Sequence, residues 1–439
     1  MRSCFQIQAS KLQGSTCTRD TTSSSQGRLL IPSPSRLSSR RGLNTIVGRV
    51  ANETHQIPHK NIMSTDNKNT PEVSIHDIGP PPVEEDYVNP ANKSPRWLLG
   101  AHAFTLRFLA SFGFNLGNRS GLPAPPPTET IWLDSTLSEW KGKEMISANI
   151  WVPPDNSQLS GSEKRPVVIN FHGGGFILGR GTDDSRWADA LVKGLGAVVF
   201  SVNYRLAPGY PFPTPVEDCT DAITQICRLA DRYNFDTDRI ILSGFSAGGT
   251  LATSSWIVLQ DPARWNYEIP SPIPKIAGLV LFYPPLDWTL DRYQKRAACK
   301  EPDLTLPSSL TDLIDASYLH PHLPRRERTD IRLSPGLMPD ELLDRLPPIH
   351  LCLCEYDMLL AEGQLFGERL EKRGKKVSVR VVEGEKHAWD KPLPLGPKGS
   401  VAFEYDIAIT AAKSWLEGNK NLDSLHDRDL SQQPIHPEE

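Results

Sequence analysis

The fold of this chain is predicted best by one stretch, Arg239-Ile-Ile-Leu-Ser-Gly-Phe-Ser-Ala-Gly-Gly-Thr250. Within it, Ile240–Leu242 is an apolar run typical of a short buried strand, and from Ala247 to about Gln260 the composition is typical of a helix. Ser246 lies between them, at the centre of Gly-x-Ser-x-Gly. A strand that turns directly into a helix needs a sharp bend, and the two glycines avoid collisions with neighbouring backbone. The pattern predicts a serine hydroxyl exposed beside the positive end of a helix, although a glycine-rich turn with a buried serine is the alternative.

Strand-like and helix-like segments alternate along residues 128–417. Apolar strands are expected near residues 165–171, 197–203, 240–242, 275–282, 348–354 and 377–381, and helices near 184–195, 215–233, 247–260, 361–373 and 403–416. Residues 131–137 and 147–152 are expected to pair as a hairpin at a sheet edge. Because buried strands alternate with helices, the sequence predicts an α/β fold with a mostly parallel central sheet covered by helices on both faces. Residues 287–345 break the alternation and predict an insertion with a helix near 308–319.

Two later residues, Asp357 and His387, suit the chemistry of an activated serine. A serine hydroxyl needs a base that takes its proton, and the base needs a carboxylate that orients it. Asp357 and His387 each follow a predicted strand, so we expect them to form a catalytic triad with Ser246, in the chain order Ser-Asp-His. Glu355 is the nearest rival of Asp357, because strand alternation places both side chains on one side.

A second glycine-rich run, His172-Gly-Gly-Gly-Phe176, directly follows the predicted strand that ends at Phe171. An acyl transfer needs hydrogen-bond donors for the oxygen that becomes negative, and glycines let backbone N–H groups approach a ligand closely. The N–H group of Ala247, directly after the candidate nucleophile, is expected to complete this oxyanion hole. A plain flexible turn is the alternative, and His172 is expected to hold the loop by hydrogen bonds.

Composition excludes several other classes of protein. The 439 residues carry a formal net charge of −4 and 38% hydrophobic residues, which indicates a soluble globular protein and argues against nucleic-acid binding. The seven cysteines show no paired zinc-ligand spacing, and this usage is typical of a reducing compartment. No cysteine zinc site is therefore expected. The cysteines are Cys4, Cys17, Cys219, Cys227, Cys299, Cys352 and Cys354.

Residues 1–84 are expected to be a disordered targeting or untranslated extension, and residues 421–439 a polar tail. The first 52 residues are rich in Arg and Ser and contain a single acid, Asp20, as in a mitochondrial transit peptide. The alternative is that translation begins at Met63. The sequence accordingly predicts an intracellular protein, mitochondrial in the first case and cytoplasmic in the second.

Residues 85–126 contain an apolar segment, 97–117, between two proline-rich runs. Arg107 near its middle disfavours a membrane-spanning helix, because a central Arg costs about 2.5–3.5 kcal/mol on insertion scales. We expect an amphipathic helix that lies on the domain or on a membrane surface. Its aromatic residues are expected to be buried in part over the mouth of the active site, since soluble monomers avoid large apolar patches. These residues are Trp97, Phe104, Phe108, Phe112 and Phe114.

Four separated motifs together resemble the hormone-sensitive-lipase-like (fold-3) branch of the α/β-hydrolase serine esterases. They are His172–Phe176, Tyr204–Pro208, Gly244–Gly249 and the downstream pair Asp357 and His387, in that order. The resemblance implies an α/β-hydrolase domain at residues 127–420, with a helical cap made from residues 85–126 and an insertion at about 287–345. It also implies that Gly174 and Gly175 join Ala247 as oxyanion donors, and that neither a metal nor an organic cofactor takes part.

Three departures from the family pattern suggest a divergent member. The family usually has Asp at the position of Phe245 and Glu at the position of Gly209. Of the Arg-Asp-Glu run that commonly follows the triad aspartate, only Glu362 matches. None of these departures removes a member of the predicted triad.

The sequence therefore predicts a serine esterase that forms an acyl-enzyme on small to medium apolar esters, with a small-molecule ester as its partner. The first alternative is an amide, formamide or lactone hydrolase with the same triad. The second is a ligand-binding receptor on a hydrolase scaffold, against which the presence of His387 argues.

Overall fold

The computed structural model describes residues 89–120, 125–140, 142, 144–154, 164–391 and 398–417, with backbone only at 112–120. The extension predicted for residues 1–84 and the tail predicted for 421–439 lie outside these ranges. No described helix is both long and apolar enough to cross a membrane.

Eight strands form one sheet in the order β1-β2-β4-β3-β5-β6-β7-β8. They are β1 Glu129–Leu133, β2 Ile146–Trp151, β3 Arg165–Phe171, β4 Val198–Asn203, β5 Phe235–Phe245, β6 Ile276–Phe282, β7 Ile349–Tyr356 and β8 Val377–Lys386. The pairs β1–β2 and β2–β4 are antiparallel, and all the others are parallel. The mostly parallel sheet predicted from the sequence is confirmed, with the predicted hairpin at its edge.

Ten α-helices are found in the described ranges. They are α1 Arg96–Ser120, α2 Ser185–Leu195, α3 Thr214–Cys227, α4 Ala230–Tyr233, α5 Ala247–Gln260, α6 Arg292–Ala297, α7 Ser308–Tyr318, α8 Asp340–Arg345, α9 Leu360–Lys372 and α10 Gly399–Leu416. The helix expected at 215–233 is therefore two helices. The chain turns between them, where the Leu229 N–H group donates to the Ile226 carbonyl three residues back.

Alternate residues of each buried strand face two separate hydrophobic cores, one on each side of the sheet. In β3, Val167 and Ile169 lie in the larger core and Val168 lies in the smaller one. The larger core includes side chains of α3, α5 and α9, and the smaller one includes side chains of α2 and α10. Helices thus cover both faces, as predicted.

The candidate nucleophile strand β5 is longer than the run 240–242 that apolar periodicity predicts. Its first residues, Asp236–Arg239, are at least partly exposed, and the register with β3 shifts before Ile240 is reached. Polar residues are compatible with a strand there because these four residues lie in the irregular, partly exposed section between the two places where β5 pairs with β3, at Phe235 and from Ile240 onwards. The change of register does not affect the end that carries Ser246.

Candidate active site

The residue between β5 and α5 adopts a strained conformation that aims its side chain away from both elements. Ser246 has φ 51° and ψ −120°, a left-handed φ that is rare for a residue with a side chain. Its N–H group donates to the Phe282 carbonyl at the end of β6, at 2.8 Å. A Cβ atom on Gly244 would collide with the backbone of Gly248, and one on Gly248 would collide with the Phe171 carbonyl. Close backbone approach therefore explains both glycines of Gly-x-Ser-x-Gly.

The structure brings the three predicted triad residues together from the ends of β5, β7 and β8. The His387 Nε2 atom lies 2.9 Å from Ser246 Oγ, and the His387 Nδ1 atom lies 2.6 Å from Asp357 Oδ2. Asp357 is buried, and its other carboxylate oxygen accepts from the Leu359 N–H group at 3.1 Å. Hydrogen bonds thus connect a serine, an imidazole and a carboxylate in series, the arrangement that activates a serine hydroxyl.

Glu355, the rival of Asp357, lies outside this series. Its carboxylate pairs with Lys300 and accepts from the Gly384 N–H group at 2.6 Å. The hydrogen bond from Lys300 lowers the pKa of Glu355, which therefore stays ionised at neutral pH. The turn after β7 separates the two carboxylates, because Tyr356 ends the strand and Asp357 begins the loop towards α9.

The glycine-rich loop after β3 lies directly against Ser246. A Cβ atom on Gly173 would be 3.6 Å from the Ser246 Cβ atom, so the next two residues begin beside the candidate nucleophile. Gly174 has φ 113° and Gly175 has φ 60°, which residues with side chains rarely adopt. In the described ranges, the N–H groups of Gly174, Gly175 and Ala247 donate to no other backbone group outside regular secondary structure. They are thus available to a ligand at Ser246.

Comparison with known proteins agrees with this geometry. The alpha/beta hydrolase fold family matches residues 168–391. Esterase LipI of Mycobacterium tuberculosis is 30% identical over 247 residues, which cover 56% of this chain and 71% of that protein. The chain belongs to the α/β-hydrolase fold family. Arylacetamide deacetylase of Bos taurus is 28% identical over 402 residues, which cover 75% of this α/β hydrolase and 94% of the bovine protein.

A solved structure supports the same assignment. The hyperthermophilic esterase of the archaeon Pyrobaculum calidifontis is 25% identical and has a TM-score of 0.58, covering 72% of this chain and 96% of that one. The resemblance to the hormone-sensitive-lipase-like branch is confirmed, and the protein is a hydrolase of the serine esterase type. In the residues that the structure describes, no cluster of His, Cys, Asp or Glu could hold a metal ion.

The insertion of this α/β hydrolase packs on the glycine-rich loop. Ile314 of α7 lies where a Cβ atom on Gly175 would be, so α7 directly covers the loop. Phe176 stacks on Tyr318 of α7, with ring centroids 3.8 Å apart, and Trp288 lies 5.9 Å from Phe176. Sequence analysis did not identify Trp288 and Tyr318, because the irregular pattern of residues 287–345 does not show which aromatic residues pack on the loop.

His172 holds the glycine-rich loop, as expected from the sequence. Its Nδ1 atom lies 2.7 Å from the Gly173 carbonyl oxygen, and its ring stacks on Tyr204 at a centroid distance of 4.3 Å. The Tyr204 hydroxyl donates to the His172 carbonyl at 2.8 Å. Burial lowers the pKa of His172 to about 4, so its ring is neutral at pH 7.

A largely buried lysine side chain lies beside Phe245, the residue before the candidate nucleophile. Lys391 Nζ pairs with Asp184 at 2.6 Å and with Asp390 at 2.9 Å, and it lies 3.4 Å from the ring centroid of Phe245. Burial alone would lower the pKa of Lys391, but the two carboxylates raise it above the usual value. Phe245, which departs from the family pattern, therefore supplies the π face on which this cation rests.

A ring contact extends this cluster to the predicted triad, and hydrogen bonds extend it to the core of the sheet. The Tyr283 hydroxyl donates to Asp390, and the Tyr283 ring lies edge-on to His387 at 4.7 Å between centroids. On the other side, Asn170 donates to Asp184 at 2.8 Å and accepts from the Ser243 hydroxyl at 2.8 Å. A polar network thus connects the loop that carries His387 to the strands on either side of Ser246. Its charged members are not recognisable from the sequence, since Lys and Asp usually lie at the surface.

We expect Lys391→Met to lower the free energy of unfolding by about 3–5 kcal/mol, because it leaves the carboxylates of Asp184 and Asp390 buried without their cation. Urea unfolding followed by circular dichroism measures the change. The matched control is Lys413→Met, which removes an exposed lysine 3.9 Å from Glu417 and should cost less than about 0.5 kcal/mol. A loss below about 1 kcal/mol for Lys391→Met would show that the cluster does not depend on its ammonium group.

Proposed function

We propose that this α/β hydrolase cleaves carboxylic esters through an acyl-enzyme on Ser246, with His387 as the base and Asp357 as its orienting carboxylate. The observation that carries the proposal is the series of two hydrogen bonds, 2.9 Å from Ser246 to His387 and 2.6 Å from His387 to Asp357. Asp357 favours the imidazole tautomer that has its proton on Nδ1. The Nε2 lone pair of His387 is then free to accept the serine proton.

The reaction proceeds in two balanced halves. Ser246 Oγ attacks the ester carbonyl carbon while His387 Nε2 takes the hydroxyl proton, which gives a tetrahedral oxyanion. The intermediate collapses, the C–O bond to the alcohol breaks, and His387 donates its proton to the departing alcohol oxygen. Water then attacks the acyl-enzyme and loses a proton to His387. The second tetrahedral intermediate releases the carboxylic acid, and the proton returns to Ser246.

The oxyanion is assigned to the N–H groups of Gly174, Gly175 and Ala247. The supporting evidence is the position of the glycine-rich loop beside Ser246 and the lack of other backbone acceptors for these groups in the described ranges. Donors that are fixed before the reaction stabilise the developing charge without reorganisation. Ile314 limits the movement of the loop, because it packs directly against Gly175.

The proposed substrates are esters of small to medium size with apolar groups. The support is the apolar character of the side chains that border the glycine-rich loop, namely Phe176, Trp288, Ile314 and Tyr318. Apolar surroundings favour apolar ligands, because a charged group would lose its hydration there without a partner.

A series of 4-nitrophenyl esters tests this proposal. We expect kcat/KM to be highest for acyl chains of about four to eight carbons and to fall by at least about tenfold for the charged hemisuccinate and for a sugar ester. Labelling of Ser246 by a fluorophosphonate, located by peptide mass spectrometry, tests the nucleophile independently. Equal rates on charged and apolar esters, with Ser246 labelled, would reject the substrate preference and retain the triad.

Amide hydrolysis is the second candidate function, because the chain is 28% identical over 94% of a bovine protein named arylacetamide deacetylase. 4-Nitroacetanilide and 4-nitrophenyl acetate share the acyl group and the ring, and differ in the bond that is cleaved. We expect the ester to react with the larger kcat/KM. A larger kcat/KM for the anilide would make amide hydrolysis the primary activity.

A further inference from the structure

Helix α1 presents a stripe of exposed aromatic side chains to the outside of the molecule. Trp97, Phe104 and Phe108 are 73%, 68% and 65% exposed. At 3.6 residues per turn, the spacings of seven and four place the three aromatic residues within about 40° of one another. For these three residues the exposure corrects the sequence-based expectation that they are partly buried over the active site, whereas the side chains of Phe112 and Phe114 lie outside the described ones.

The opposite side of α1 is fixed to the hydrolase domain, so the stripe cannot turn inwards. Leu99 and Ala103 are buried. Arg107 donates to the Ile177 carbonyl at 2.6 Å and to the Ala207 carbonyl at 2.8 Å. A rotation of the helix that buried the aromatic residues would break both of these bonds and expose Leu99 and Ala103.

The charge of this segment differs in sign from that of the whole chain. Residues 89–120 contain Lys93, Arg96, Arg107 and Arg119 and no Asp or Glu, whereas the full chain has a formal net charge of −4. Arg96 and Arg107 bond to backbone carbonyls of the domain, so among the described side chains Lys93 is the exposed basic one. A helix with exposed Trp and Phe, an exposed lysine just before it and no acids suits the interface of an anionic bilayer. The absence of acids removes the repulsion that anionic headgroups would otherwise cause.

The area of the stripe agrees better with a lipid surface than with a second copy of this chain. Three aromatic side chains of about 150–250 Å² each, exposed by two thirds, present roughly 400 Å². This value lies within the range of the largest patches on soluble monomers, which are often functional. It is about half of the roughly 800 Å² per partner that a specific protein interface needs.

We propose that α1 binds the surface of anionic phospholipid bilayers through Trp97, Phe104 and Phe108. The helix lies in the plane of the membrane, with the three aromatic rings at the level of the headgroups. Arg107 and the buried side of α1 keep the hydrolase domain attached to the helix. The inference does not depend on the proposed ester chemistry, because it rests on exposed residues that are separate from Ser246, Asp357 and His387.

Flotation of the full chain with lipid vesicles tests the proposal. Vesicles of phosphatidylcholine with 30% phosphatidylserine are compared with vesicles of phosphatidylcholine alone. We expect the wild-type chain to float with the anionic vesicles and the variant Trp97→Ser/Phe104→Ser/Phe108→Ser to bind at least about tenfold less. The matched control is Trp132→Ser/Tyr293→Ser/Phe403→Ser, which removes three aromatic residues that are 65%, 61% and 55% exposed elsewhere. It should float like the wild type.

Three results would overturn the proposal. The first is a wild-type chain that does not float with anionic vesicles. The second is an α1 variant that floats as well as the wild type while its ester profile changes, which would assign the stripe to substrate selection. The third is a wild-type dimer that the α1 variant converts to a monomer in sedimentation velocity, without any effect on flotation. Urea unfolding of both triple variants establishes that each remains folded.

Discussion

Ser246→Ala is expected to lower kcat for ester hydrolysis by a factor on the order of 10⁵–10⁶ and to abolish fluorophosphonate labelling. The physical reason is that His387, 2.9 Å from Ser246 Oγ, would have no hydroxyl to deprotonate. The variant His387→Ala should lower kcat by a similar factor, since members of a triad act as a unit. The double variant Ser246→Ala/His387→Ala should therefore be no slower than either single variant. Initial rates on a butyrate ester measure all three.

The matched control for Ser246→Ala is Ser254→Ala, in helix α5, which directly follows Ser246. Ser254 is buried, and its hydroxyl has no hydrogen-bond partner in the described part of the chain. We expect this variant to keep its rate within about twofold and to take up the fluorophosphonate. If Ser246→Ala is still labelled while it remains folded, the nucleophile is another residue and the proposed mechanism is wrong.

The fold and the position of Ser246 could be predicted because both depend on local sequence patterns. Buried parallel strands are continuous apolar runs, and the bend after β5 needs glycine where Gly248 meets the Phe171 carbonyl. Asp357 and His387 each follow a predicted strand, which was sufficient to place both at the carboxyl ends of parallel strands. The structure brings these residues within hydrogen-bond distance of each other, and their catalytic roles stay predictions.

Two other features could not be predicted, because they depend on which partner a residue meets. Lys391 and Asp184 are 207 positions apart, and nothing local indicates that they form an ion pair beside Phe245. In α1, Leu99 and Ala103 face the protein, whereas Trp97, Phe104 and Phe108 face outwards. Leu99, Ala103 and Leu106 recur at helical spacing on the side that packs on the domain, so α1 has apolar residues on two sides and the sequence does not show which of them makes the contact.

Asp357→Asn is expected to lower kcat by a factor on the order of 10³–10⁴ while the protein remains folded. The amide NH₂ group of Asn would face His387 Nδ1 at the position of the Oδ2 atom, now 2.6 Å away, and would favour the tautomer that has its proton on Nε2. That tautomer cannot accept the Ser246 proton. The other side-chain oxygen can still accept from Leu359, so stability should change little.

Glu355→Gln is the matched control, since it makes the same chemical change two residues earlier in the chain. Glu355 bonds to Lys300 and to the Gly384 N–H group but not to His387, and an amide oxygen can still accept from Gly384. We expect kcat to stay within about threefold of the wild type, because an exposed ion pair contributes little. Steady-state rates and thermal unfolding of both variants decide the assignment. If both variants lose kcat equally, Asp357 is not the carboxylate that orients His387. A loss of kcat confined to Asp357→Asn would assign that role to Asp357 rather than to Glu355, a choice that strand alternation alone does not make.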